Sequence, residues 1–112
     1  MKKIEAIIRP ELLEPLRLRL DDIGYPGMTT TKVEGHGKQG GIQHVWRGGT
    51  YRTTFISKVK VEIVVPDDRA DKLVEGILEV CSAGQVGDGK IFVSPVSDAI
   101  RVSSKERGEK AL

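Results

Sequence analysis

A chain of 112 residues supports one domain and buries roughly 65% of the surface its unfolded form exposes, a modest core that oligomerisation would help. Hydrophobic content of 38% and charged content of 30% suit a globular fold, and a net charge of +2 gives no field that would make nucleic acid the default partner. One cysteine and no charged-then-apolar leader argue against a disulfide framework or a secretory signal, and no apolar run approaches the roughly 20 residues of a membrane span. A cytoplasmic protein is expected, with any membrane role exercised through a partner.

In chain order, Lys3 to Arg9 alternates as a strand, with Ile4, Ala6 and Ile8 on one face. Pro10 ends it. From Glu11 to Ile23, Leu12, Leu13, Leu16, Leu20 and Ile23 form one helical stripe, with Pro15 tolerable in the first turn and Gly24 as the stop. The Thr-rich stretch from Met28 to Val33 is a predicted second strand. Val33 to Ser57 follows neither period, holds six of the thirteen glycines, and is predicted to be a long loop of about 36–56. Lys58 to Val65 alternates most clearly, with Val59, Val61, Ile63 and Val65 on one face and Lys58, Lys60, Glu62 and Val64 on the other. Asp67 or Asp68 can cap a helix whose stripe is Ala70, Leu73, Val74, Ile77, Leu78 and Cys81. Ser82-Ala83-Gly84 stops it, Gly87-Asp88-Gly89 forms a turn, and Lys90 to Val96 is a fourth strand. A charged tail, about 103–112, is expected to fray.

An internal repeat sets the topology. KIEAII at Lys3 to Ile8 matches KVEIVV at Lys60 to Val65, and each is followed by a proline, an acidic residue, a helix and another strand. Two such βαβ units, connected right-handedly, give an α+β ferredoxin-like sandwich with both helices on one sheet face. The repeated strands become the central pair. Their outer face would carry Lys3, Glu5, Lys60 and Glu62, which either a solvated face or a subunit interface with paired charges explains.

Three segments could carry chemistry. Gly35 to Gly41 contains closely spaced glycines after a strand, but no helix follows, so a dinucleotide fingerprint fails in its context. Such glycines let backbone N–H groups approach a phosphate, with Lys38 adding charge; a hinge explains them equally. Gly87-Asp88-Gly89-Lys90 is either a tight turn or an anion-binding nest with a lysine, to which Arg101 could add a third cation. His36 and His44 have no acidic residue between them to build a triad or zinc site, and Cys81 lies on an apolar stripe. Paired carboxylates at Asp21-Asp22 and Asp67-Asp68 sit at helix ends, where dipole and capping effects account for them. An enzyme is disfavoured.

These segments together resemble the PII signal-transduction family over nearly the whole chain. The resemblance rests on MKKIEAIIRP at the start, GMT at Gly27 to Thr29, GxGKQxG at Gly35 to Gly41, RGxxY at Arg47 to Tyr51, KVKVEIVV at Lys58 to Val65 and GDGKIFVSPV at Gly87 to Val96. It implies a homotrimer of ferredoxin-like subunits whose sheets pack toward the axis, with ATP or ADP in the clefts between subunits. Thr29, Gly35, Gly37, Lys38 and Val64 would line the nucleotide site. Gly87, Asp88, Gly89 and Lys90 would hold phosphates, and Arg101 would reach in from the flank.

For the effector, the resemblance implies that Gln39 completes a Mg²⁺ shell made largely by ATP phosphates. 2-Oxoglutarate would chelate that ion, be wrapped by the backbone of Gly40 and Gly41, and pair its distal carboxylate with Lys58. The long loop would be the output arm toward an ammonium channel or nitrogen-metabolism enzymes, with Arg47 as the partner contact and Tyr51 as the candidate for nucleotidylylation. Departures fall where His36 and Lys38 replace the usual Phe and Arg, Thr50 replaces a Glu, Gly49 stands at a serine position and Ser103 replaces an arginine. Lysine at 38 cannot make arginine's bidentate phosphate contact, which predicts weaker phosphate binding, and Thr50 argues against modification of Tyr51. Two other readings remain open: a divergent paralogue regulating nitrogenase or an anion transporter through another effector, and a small ferredoxin-like phosphatase. An RNA-binding module of this topology would need stacking aromatics on the central strands, which are missing.

Overall fold

The computed structural model describes residues 1–36, 43–46, 49–52 and 55–112, and gives the backbone alone for 43–46 and 49–52. The period-2 patterns become strands β1 (Lys2–Ile8) and β5 (Ile56–Val65), which pair antiparallel at the centre of a four-stranded sheet, with Ile4 opposite Ile63 and Ala6 opposite Val61. β2 (Thr29–Gly35) flanks β5 and β6 (Lys90–Pro95) flanks β1, giving the order β2-β5-β1-β6 with every neighbour antiparallel. This is the ferredoxin-like arrangement that the repeat predicts.

Helix α1 (Leu13–Asp22) follows a 3-10 turn over Pro10–Leu12, and α2 (Ala70–Cys81) follows one over Asp67–Arg69. Both helices bury their stripes on one face of the sheet. Leu16 and Leu20 from α1, and Leu73 and Ile77 from α2, meet Ile4, Ala6, Ile8, Val59 and Val61 in one cluster. Burying each of the Leu, Ile and Val side chains contributes about 1.5–3 kcal/mol. Gly76 lets the helices approach, since a Cβ there would stand 2.7 Å from Ile23 Cδ1. Buried Tyr25 ties the helix ends together: its hydroxyl donates to the Arg69 carbonyl at 2.9 Å, and the Arg69 guanidinium lies 4.3 Å from its ring centroid.

Several local expectations are corrected. Neither Asp67 nor Asp68 caps α2, because the preceding chain is a 3-10 turn and no side-chain cap bond forms; Asp67 instead pairs with the Met1 amine at 3.0 Å. Leu78, placed on the buried stripe, is 49% exposed. The segment predicted to lack strands holds two short ones, β3 (Gln43–Trp46) and β4 (Gly49–Arg52), paired with His44 opposite Tyr51. Four residues per strand are too few to register as an alternating pattern. The tail turns back rather than trailing: Ile100 bridges Arg107, the Gly108 N–H donates to the Ala99 carbonyl at 2.9 Å, and Gly108–Ala111 closes as a 3-10 turn.

On the outer sheet face Lys3, Glu5, Lys60 and Glu62 are partly buried, and Glu62 lies 3.3 Å from Lys60 and 3.9 Å from Lys3. Half-exposed Phe92 shares this face, opposite Glu5.

Candidate functional site

The site begins where α2 stops. The Asp88 carboxylate reaches back across its own loop: Oδ2 accepts from the N–H groups of Ala83 at 2.7 Å and Gln85 at 3.2 Å. Those bonds, Ala83 first, hold its carboxyl below the usual range. The turn they close needs left-handed backbone at Gly87 (φ +100°) and Gly89 (φ +101°), which glycine adopts without a Cβ penalty. At Gly89 the requirement is absolute, because a Cβ would stand 1.7 Å from the Ile7 carbonyl oxygen.

Two cations fasten this turn to the sheet. Ile8 and Val59 are opposite each other in the β1–β5 ladder, which brings Arg9 and Lys58 to neighbouring places at its end. Arg9 Nη2 donates to the Val86 carbonyl at 3.2 Å and lies 3.5 Å from Asp88 Oδ1. Lys58 Nζ donates to the Gly87 carbonyl at 2.6 Å. Alternation puts Lys58 on the outer face, yet it is only 6% exposed because the turn folds over it. Burial, then the charge of Arg9, lowers its pKa. Gly35 passes close above, where a Cβ would meet Lys58 Cγ at 3.3 Å. Beside these cations lies a polar cleft of about 220 Å³ lined by Arg9, Glu11, Ser57, Lys58 and Val86, and Lys58 also borders a second cleft of about 660 Å³ with Lys32 and Glu34. Exposed Lys90 starts β6 at the same end of the sheet, opposite Ile7.

The remaining predicted residues lie at the opposite end. Thr29 is opposite Glu62 and Val64 is opposite Lys3, four and six positions beyond Lys58, which places them about 13 and about 20 Å from it along β5. Arg101 follows the far end of β6, where its Nη2 donates to the Leu112 carbonyl at 2.9 Å. One chain therefore assembles Gly35, Lys58, Gly87, Asp88, Gly89 and Lys90, and leaves Thr29, Val64 and Arg101 apart. Gly37, Lys38, Gln39, Gly40, Gly41 and Arg47 lie outside the described residues, as does the side chain of Tyr51. Arg9 was missed by sequence reasoning; its signal was the antiparallel pairing of the two repeats, which sets it next to Lys58.

Among the described residues no group of three His, Cys, Asp or Glu side chains could hold a metal ion. Cys81 lines an apolar cavity of about 420 Å³ between α2 and β6, and burial pushes its thiol up to about 11, which makes it a poor nucleophile. No helix among the described residues is long and apolar enough to cross a membrane.

Comparison with known proteins gives one answer. The family model described as nitrogen regulatory protein P-II matches residues 1–106. The nitrogen regulatory protein P-II of Haemophilus influenzae is 48% identical, that of Pasteurella multocida 47%, and the P-II 1 protein of Escherichia coli K12 46%, each over the whole of both chains. A crystal structure of Arabidopsis thaliana PII bound to citrate superposes with a TM-score of 0.79 at 42% identity, covering 98% of this chain and 87% of that one. The three bacterial relatives are named as regulatory proteins and not as enzymes.

Proposed function

Because the chain belongs to the nitrogen regulatory protein P-II family, we propose that it senses ATP or ADP together with 2-oxoglutarate and reports their balance to nitrogen-metabolism targets through its long loop. The observation that carries this reading is the gathering of Arg9, Lys58 and the Gly87–Lys90 turn where β2 leaves for that loop and β5 returns from it. Two neighbouring cations, one of them buried, repel each other, and an anionic ligand relieves both. A dicarboxylate whose distal carboxylate meets Lys58 fits that need. The citrate in the Arabidopsis relative supports carboxylate binding in this family.

The nucleotide is assigned to a cleft between two copies. Gly35, Gly37, Lys38 and Gly87 to Lys90 come from one copy, while Thr29, Val64 and Arg101 come from the next. The separation of about 13 Å for Thr29 and about 20 Å for Val64 from Lys58 along β5 supports this division, and a homotrimer closes the ring of such contacts. The mixed outer face, with Lys3, Glu5, Lys60, Glu62 and Phe92, is the surface that would turn to the axis. Gln39, with the backbone of Gly40 and Gly41, is assigned to the Mg²⁺ and 2-oxoglutarate end. Asp88 contributes the shape of the turn, since its carboxylate already serves the turn's own N–H groups.

Function then follows from linkage. ATP with 2-oxoglutarate favours one arrangement of the loop and ADP another, so the affinity of Arg47 and its neighbours for an ammonium channel or an enzyme depends on metabolite levels. Calorimetry with ATP and Mg²⁺, with and without 2-oxoglutarate, tests the reading. Each ligand is expected to tighten the other by the same factor; independent binding would sink the sensor mechanism.

A further inference from the structure

The turn from Gly87 to Lys90 needs something to hold it. Glycines at φ +100° and +101° permit the turn but also permit its peptides to flip. Each peptide unit is planar, so its carbonyl and N–H point in opposite directions. The Val86 carbonyl lies on Arg9, which turns the Gly87 N–H of the same unit away from that cation. The next unit is pinned at both ends: the Gly87 carbonyl accepts from Lys58 Nζ at 2.6 Å, and the Asp88 N–H donates to the Gln85 carbonyl at 3.3 Å. Among the described residues, Lys58 is the only pin on this unit that comes from the sheet rather than from the turn itself.

We infer that Lys58, beyond meeting an effector, is a positioning residue for the nucleotide-phosphate turn, fixing the Gly87–Asp88 peptide and so aiming the neighbouring amides. Burial strengthens the contact: an ammonium that is 6% exposed must keep a strong acceptor, and the carbonyl that accepts from it gains a charge-assisted bond. The effector and nucleotide sites therefore share one ammonium. A carboxylate that draws Lys58 toward itself also changes the restraint on Gly87, which couples the sites through a single side chain. The inference rests on reading Gly87–Lys90 as the phosphate turn.

The test is ATP binding with Mg²⁺ and no 2-oxoglutarate, together with amide hydrogen exchange of the ligand-free protein, for wild type, Lys58→Met and Lys58→Arg. Losing a hydrogen bond to a charged group is expected to weaken ATP about tenfold in the Met variant, with most of the affinity regained in the Arg variant. Exchange at Asp88 should quicken in the Met variant while β1 and α2 stay as in wild type. Should the Met variant not fold, Lys58→Gln is read in the same way. ATP affinity without 2-oxoglutarate equal to wild type, or unchanged exchange at Asp88, overturns the inference. If wild type itself binds no ATP, the phosphate reading falls, and exchange at Asp88 alone decides whether Lys58 pins the turn.

Discussion

At one end of the central sheet a turn is fastened by contacts between distant parts of the chain, Arg9 to Asp88 and Lys58 to Gly87; at the other, Thr29 and Val64 lie along strand ends and Arg101 sits in a locally closed tail. The near end is built by contacts 29 to 79 residues apart, and the far-end tail by contacts such as Arg101 with Leu112, 11 apart, and Arg107 with Asp98. Long-range closure fastens the near end within a single chain. The far end presents side chains on a surface. The difference teaches that the two ends are built differently, and on the proposed reading neither is a nucleotide site by itself, the second half of each being supplied by another copy.

Gly89→Ala breaks the comparison most forcefully. With a Cβ directed at the Ile7 carbonyl, the turn cannot close against β1. Stability is expected to fall by about 3 kcal/mol or more, lowering the melting midpoint by over about 10 °C, and ATP binding should vanish. Thr29→Ala at the exposed far end should change stability by no more than about 0.5 kcal/mol while still weakening ATP. Thermal melts beside calorimetry check both, and a far-end variant that melts early would show the ends are not built differently.

A smaller effect sharpens the same contrast under acid. The N–H groups of Ala83 and Gln85 hold Asp88 below the usual carboxylate range, and Ala99 N–H with Arg107 does so for Asp98. A carboxyl whose folded pKa is depressed adds stability above its unfolded value, near about 3.9, and loses it as pH falls through the folded value. From pH 7 to 5 the Ala83 and Gln85 amide resonances should therefore not move. They should shift only below about pH 4, and a midpoint in the ordinary carboxylate range or higher would contradict the Asp88 clamp.

Much of this was legible in the chain itself. The matched KIEAII and KVEIVV stretches yielded the central strands, and the apolar stripes yielded both helices, because each pattern reports burial directly. Lys58 shows where such patterns stop: alternation turns it outward, and the turn arriving from 29 residues away, with Gly35 close above, covers it. Asp67 looked like a cap, but the 3-10 turn before α2 and the Met1 amine claim it instead. Tyr25 and Arg69 carry no periodic signal at all, since their partnership joins two helix ends. At the site, the glycines of the near turn were readable as a motif, whereas Arg9 needed the strand register before its nearness to Lys58 could be seen.

The division of the nucleotide site between copies is tested most directly by mixing two defective chains. Lys90→Glu spoils the near end and Arg101→Glu the far end, and each variant alone should fail to bind ATP. Refolded together, chains with an intact near end meet neighbours with an intact far end, so calorimetry should recover a fraction of the wild-type sites at wild-type affinity. If the mixture binds no more ATP than either variant alone, both ends serve one nucleotide within one chain, and the shared site between copies does not exist.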